Sequence, residues 1–98
     1  MANWYLTRPA QQNLSDIVSN VVEFTGHAIS GIRLQEEIFE RLDLLAYFPE
    51  SGKVRPEENS REIIFRGYRI VYELNNSNIV VTAIIHSSRL YPRPNGHF

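Results

Sequence analysis

Apolar positions in the first half of the chain recur with a helical period. Leu14, Ile17, Val18, Val21 and Val22 fall at i, i+3, i+4, i+7 and i+8, while Gln11, Asn13, Ser15, Asp16 and Asn20 fall between them. That spacing gathers the apolar side chains on one stripe of an amphipathic helix, running from Ala10, just after Pro9, to about Thr25-Gly26. A second helical pattern begins between His27 and Gly31, where Ser30 offers a cap, and passes through Ile38, Leu42 and Leu45 to Pro49 and Gly52. Gln35, Glu36, Glu37 and Glu40 form its wet side. The joint between the two helices is short, so they are expected to form an antiparallel hairpin. Ahead of them, residues 3 to 8 carry β-favouring side chains and stop at Pro9, which predicts a first strand. Behind them, Ser51 to Ser60 is polar and rich in chain breakers, which predicts a surface loop.

The period then changes from 3.6 to two. Arg61 to Phe65, Tyr68 to Leu74 and Ile79 to His86 are runs rich in Ile, Val, Tyr and Phe, separated by Arg66-Gly67 and by Asn75-Asn76-Ser77-Asn78. A two-residue turn at Arg66-Gly67 pairs Phe65 with Tyr68 and Ile63 with Ile70, and a four-residue turn in the next hairpin pairs Leu74 with Ile79 and Tyr72 with Val81. Continued along regular strands, these registers put Ile63, Phe65, Tyr68, Ile70, Tyr72, Leu74, Ile79, Val81, Ala83 and Ile85 on the face that meets the helices. The opposite face then holds Glu62, Ile64, Arg69, Val71, Glu73, Val80, Thr82, Ile84 and His86, with Arg69 opposite Ile84 and diagonal to His86. The expected architecture is α+β, in the order β-α-α-β-β-β, with a helical hairpin on one face of an antiparallel sheet and a single domain over residues 1–98. The tail Leu90-Tyr91-Pro92-Arg93-Pro94 is expected to be extended or irregular because of its prolines.

Composition narrows the function classes. With 98 residues, 43% apolar and 21% charged, the chain suits one small core. It has no cysteine, hence no disulfide framework, which points to a reducing cytoplasm. No window approaches the length of a membrane span. The net charge is −1, but it is unevenly spread: residues 1–52 carry three Arg against seven acids, and residues 53–98 carry seven Lys+Arg against four acids. Such asymmetry suits an acidic partner or nucleic acid for the second half, although an excess of three charges is small for holding a phosphate backbone unaided. His27, His86 and His97 lack metal-ligand spacing, and there is neither a phosphate-binding glycine loop nor a nucleophile elbow. No metal or cofactor is expected.

Several pieces of the chain carry a resemblance that none carries alone. They are Ala10, Leu14 and Ile17 opening the first helix, then Phe24, Gly26 and Ala28 at the helical joint. Leu45, Pro49 and Gly52 close the second helix, Gly67-Tyr68-Arg69-Ile70-Val71-Tyr72 forms the central strand, and Ile84-Ile85-His86 is followed by Arg89. Together they resemble the RelE/ParE toxin superfamily over essentially the whole chain, and the ParE branch most. The resemblance implies the toxin of a toxin–antitoxin pair, neutralised by a cognate antitoxin whose extended and helical segments wrap it. For ParE-like members it implies poisoning of DNA gyrase, and for RelE-like members ribosome-dependent cleavage of messenger RNA. Such chains often have Asp before the first-helix Leu, where this one has Asn13, and an acid after the terminal Arg, where this one has Leu90.

Metal-free RNA cleavage needs a base for the 2′-hydroxyl, cations for the charged phosphorane and an acid for the leaving oxygen. Arg69, His86, Arg89 and Tyr91 are the candidates, offering phosphate binding, proton transfer and base stacking. Each also has a plainer reading. Arg69 pairs with Glu62 or Glu73 on neighbouring strands, His86 is a strand-end histidine, Tyr91 covers a sheet edge, and Arg89 and Arg93 meet solvent or an acidic antitoxin. RelE-like enzymes resemble strongly basic proteins, whereas this chain has one lysine, Lys53, and a pI near 6.3, with Lys53, Arg55 and Arg61 as a small basic group. The ParE-like reading is favoured on that ground: no catalytic residues, and Arg69, His86, Arg89 and Arg93 as the residues that meet gyrase or the antitoxin; the alternatives are the RelE-like nuclease and a non-toxic member that only binds its partner.

Overall fold

The computed structural model describes residues 2–56 and 59–87. Within them the order is β1 (Trp4–Leu6), α1 (Arg8–Thr25), α2 (Ala28–Leu45), β2 (Lys53–Val54), β3 (Ser60–Phe65), β4 (Tyr68–Asn75) and β5 (Asn78–His86). The α+β order expected from the sequence is present, with a two-residue strand added inside the expected loop. The sheet runs β1-β5-β4-β3-β2 and is mixed, not purely antiparallel, because β1 lies parallel to β5 while the other neighbours are antiparallel. Only a crossover can place β1 and β5 side by side in one direction, and the chain from α1 to β4 supplies it.

Helix α1 starts where Thr7 leaves the extended region and its hydroxyl accepts the Ala10 N–H at 3.3 Å. Pro9 sits in the first turn, where its missing N–H costs nothing. The helix ends at Gly26, whose φ of +75° is the left-handed cap conformation that glycine adopts without strain. Helix α2 is capped by His27 without a side-chain bond, and Ser30, the expected cap, lies inside the helix with its N–H on the His27 carbonyl at 3.1 Å. The two helices meet closely at the buried Gly31. A Cβ there would stand 2.6 Å from Val22 Cγ2, 2.9 Å from Val18 Cγ1 and 3.2 Å from the Val18 carbonyl oxygen.

The core lies between the hairpin and one sheet face. Ala10 and Leu14 of α1 and Leu34, Ile38, Leu42 and Leu45 of α2 pack on Ile63, Ile70, Tyr72, Ile79, Val81 and Ile84. The Arg66-Gly67 turn forms as expected, while the second turn is two residues and not four because Asn75 pairs with Asn78; Arg66, Gly67, Asn76 and Ser77 all have positive φ, as the tight turns of twisted hairpins require. The pairs Phe65 with Tyr68, Ile63 with Ile70, Leu74 with Ile79 and Tyr72 with Val81 all form.

The expected register fails beyond Val81. Val71 pairs with Ala83, so Thr82 is an extra residue between two partners and β5 is bulged. Every later side chain changes face. Ile84 enters the core at 1% exposure in place of Ala83 and Ile85, and Arg69 lies opposite Ile85, not Ile84. His86 pairs with Tyr68 on the helix side. Past the end of β1 the edge of β5 is held by α1 and its cap: Thr7 N–H donates to the Val81 oxygen at 3.0 Å, and Asn13 Oδ1 accepts the Ile84 N–H at 3.1 Å.

Candidate functional site

The sheet face turned away from the helices carries a three-member ion cluster. Glu62 of β3 lies across from Val71 of β4 and beside Lys53 of β2. Its Oε2 is 3.3 Å from Nε of Arg69 and its Oε1 is 3.5 Å from Nε of Arg55, with all three side chains mostly shielded from solvent. Arg69 Nε is buried and reaches no hydrogen-bond geometry, so its attraction to Glu62 is that of an ion pair at a poor angle. Glu62 thus stands between two guanidiniums, with Lys53 exposed at the rim. This arrangement can hold an anionic or acidic group at a surface, because guanidinium edges offer several donors in a fixed plane.

His86 is not part of that face. Its ring meets Tyr68 edge-on at 5.5 Å on the helix side. The two rings line a recess of 310 Å³ together with Ile84, Ile85 and the α1 residues Asn13, Asp16, Ile17 and Asn20. The sequence expectation that Arg69 and His86 share the open face is therefore corrected, and its cause is the bulge at Thr82. Arg89, Tyr91 and Arg93 lie outside the described residues.

The basic group expected around the loop into the sheet also divides. Arg61 turns to the helix side, where its Nη1 donates to the carbonyls of Glu50 at 2.7 Å and Gly52 at 3.0 Å. Beside it the Tyr72 hydroxyl accepts the Gly52 N–H at 2.9 Å and donates to the Pro49 carbonyl at 2.7 Å. Burial raises the Tyr72 pKa above the ordinary 10.0, against the opposing effect of the Gly52 N–H and of nearby arginines. Tyr72 and Arg61 are therefore anchors for the α2–β2 connection. Glu62 was legible as a partner of Arg69, since it stands two residues from Ile64, the cross-strand partner of Arg69, and so lands on the same face. Arg55 was not, because nothing in the sequence announces the two-residue strand that brings it there.

The fold and this geometry can be set beside known proteins. The sequence profile of the ParE toxin of type II toxin–antitoxin systems, parDE, matches residues 5–91. The chain belongs to the ParE toxin family. Among solved structures, it is similar to one from the chromosomal ParDE toxin–antitoxin system of P. aeruginosa, with a TM-score of 0.74 and 20% identity over 88% of this chain and 96% of that one. It is also similar to one from the intact E. coli RelBE toxin–antitoxin complex, with a TM-score of 0.51 and 17% identity over 85% of this chain and 97% of that one. At such identities the likeness is one of fold. No curated protein matches the chain by sequence. Among the described residues, no helix is long and apolar enough to cross a membrane.

Proposed function

We propose that this ParE-family toxin acts in the cytoplasm by poisoning DNA gyrase, stabilising the enzyme's cleaved-DNA state, and that a cognate antitoxin neutralises it. The residues nominated to meet gyrase or the antitoxin are Arg69, His86, Arg89 and Arg93. The observation that carries the reading against RNA cleavage is the separation of Arg69 from His86. Cleavage requires a phosphate-binding cation and a proton-transfer group at one set of reacting atoms. Arg69 lies opposite Ile85 on one face, and His86 lies opposite Tyr68 on the other. Arg69 is also already engaged by Glu62. A binding surface tolerates that engagement, because a charged pair at an interface can exchange its partner for one on the target.

The test is a supercoiling and DNA-cleavage assay with purified gyrase, run beside a ribosome-bound messenger cleavage assay on the same protein. The expected result is lost supercoiling and accumulated cleaved DNA, with messenger intact. Codon-located cuts in messenger with gyrase unaffected overturn the reading.

A further inference from the structure

Along α1, Asn13, Asp16, Ile17 and Asn20 stand at i, i+3, i+4 and i+7, so their side chains share one stripe of the helix. Between that stripe and the end of β5 lies the recess of 310 Å³. Two features fix its shape. Asn13 Oδ1 accepts the Ile84 N–H at 3.1 Å, which ties α1 to the strand, and the bulge at Thr82 brings the His86 ring to Tyr68, which it meets edge-on at 5.5 Å. The ring pair forms one wall, Ile17 and Ile84 supply apolar lining, and the exposed Asp16 and Asn20 stand at the rim.

Asp16 sets the charge of this recess. Its Oδ1 accepts from Gln12 Nε2 at 2.9 Å, one helical turn back, which steadies the carboxylate, while its Oδ2 has no hydrogen bond among the described residues. None of the described residues lining the recess is Lys or Arg, and from Ala10 to Thr25 helix α1 carries Asp16 and Glu23 and no basic residue. The recess therefore favours a cation over a phosphate or a carboxylate. A carboxylate beside apolar lining and aromatic rings matches a side chain that is apolar along its stem and cationic at a planar tip. The methylenes of such a side chain lie against Ile17, and its guanidinium stacks on a ring while donating to Asp16. An ammonium brings the charge without the plane.

We propose that the recess between α1 and the end of β5 is a binding site for an arginine side chain of a partner protein, with Asp16 and Asn20 taking the guanidinium and Tyr68 and His86 packing on its plane. The nomination of His86 as a partner contact thereby gains a specific chemistry, and the proposal rests on that nomination and not on which partner it is. The recess is on the helix side of the sheet, separate from the Arg55–Glu62–Arg69 cluster.

The probe is the capped tripeptide acetyl-Gly-Arg-Gly-amide, titrated into the isotope-labelled full-length protein while the side-chain resonances of Asn13, Asn20, Tyr68 and His86 are followed by NMR. A saturable shift at millimolar peptide is expected. The isosteric peptide with citrulline for arginine keeps the plane without the charge and is expected to bind roughly tenfold more weakly, and the lysine peptide roughly fivefold more weakly. Asp16→Asn keeps an acceptor for Gln12 and is expected to reduce the arginine-over-citrulline preference to about twofold or less. Asp43→Asn makes the same change of charge at an exposed position of α2 and is expected to leave the preference intact. Neither gyrase nor ribosome is present, so the outcome is separate from that of the supercoiling assay. Equal binding of the arginine peptide and either of the others, shifts that map outside the recess, an Asp16→Asn protein that keeps the full preference, or no saturable binding overturns the proposal.

Discussion

At the scale of single residues, buried polar groups matter through their partners. Tyr72 is fully buried, and its hydroxyl both accepts from Gly52 and donates to Pro49. Tyr72→Phe leaves a buried N–H and a carbonyl without that partner and is expected to cost about 1–3 kcal/mol in denaturant unfolding. The same hydroxyl sets an alkaline limit. Its folded pKa is raised above the unfolded value of 10.0, so its contribution is fully present below pH 10 and is lost as pH rises through the folded pKa. Midpoints measured upward from pH 9 are expected to fall more steeply for the native chain than for Tyr72→Phe; parallel curves would show that another group sets the limit. Glu62 presents the converse case, one acceptor for two cations. Glu62→Ala removes the carboxylate that meets both Arg55 and Arg69 and is expected to cost about 1–3 kcal/mol, more than Arg69→Ala, after which Glu62 still faces Arg55. Thermal unfolding of the two variants orders them, and an equal or reversed order refutes the cluster's asymmetry.

At the scale of elements, closeness and register decide where side chains point. The helices touch at Gly31, where even one methyl group would meet Val18 and Val22. Gly31→Ala is expected to lose about 1–3 kcal/mol by forcing the helices apart, despite the higher helix propensity of alanine. A stabilised Gly31→Ala protein would mean that α1 and α2 slide without cost. The bulge in β5 is supported by Asn13 on the Ile84 N–H, by the Thr7 hydroxyl on the Thr82 carbonyl and by the Thr82 hydroxyl on the Val71 carbonyl. Asn13→Asp keeps an acceptor for the Ile84 N–H and is expected to remain near native stability, whereas Asn13→Leu loses about 1–3 kcal/mol and, by NMR, the edge-on contact of Tyr68 with His86. The two hairpin turns and the helical stripe were legible in the sequence because Gly67 and Asn76 tolerate positive φ and because leucine, isoleucine and valine recur at a single period. The bulge was not legible. Ile84 and Ile85 are both apolar, so alternation cannot tell which of them enters the core, and the contacts that hold the bulged strand come from Thr7 and Asn13, 75 and 71 residues away. The parallel seat of β1 was also hidden, because a three-residue strand carries no signal of its neighbour's direction.

At the scale of the whole molecule, that one-residue shift separates two chemistries that the sequence alone brings together. Had β5 stayed regular, Arg69 and His86 would flank one site, and their effects on any activity would be interdependent, as they are for groups that act as a catalytic unit. They lie on opposite faces, where Arg69 meets Glu62 and His86 meets Tyr68. Effects at independent positions add as free energies, so their fold changes multiply. Inhibition of gyrase supercoiling by Arg69→Ala, His86→Ala and the double variant, each first shown to be folded by its melting curve, therefore distinguishes the arrangements. The fold change in inhibitory concentration for the double variant is expected to equal the product of the two single fold changes. A double variant no weaker than the weaker single one would mean that both residues serve one site after all, across a strand that must then change register to bring them together.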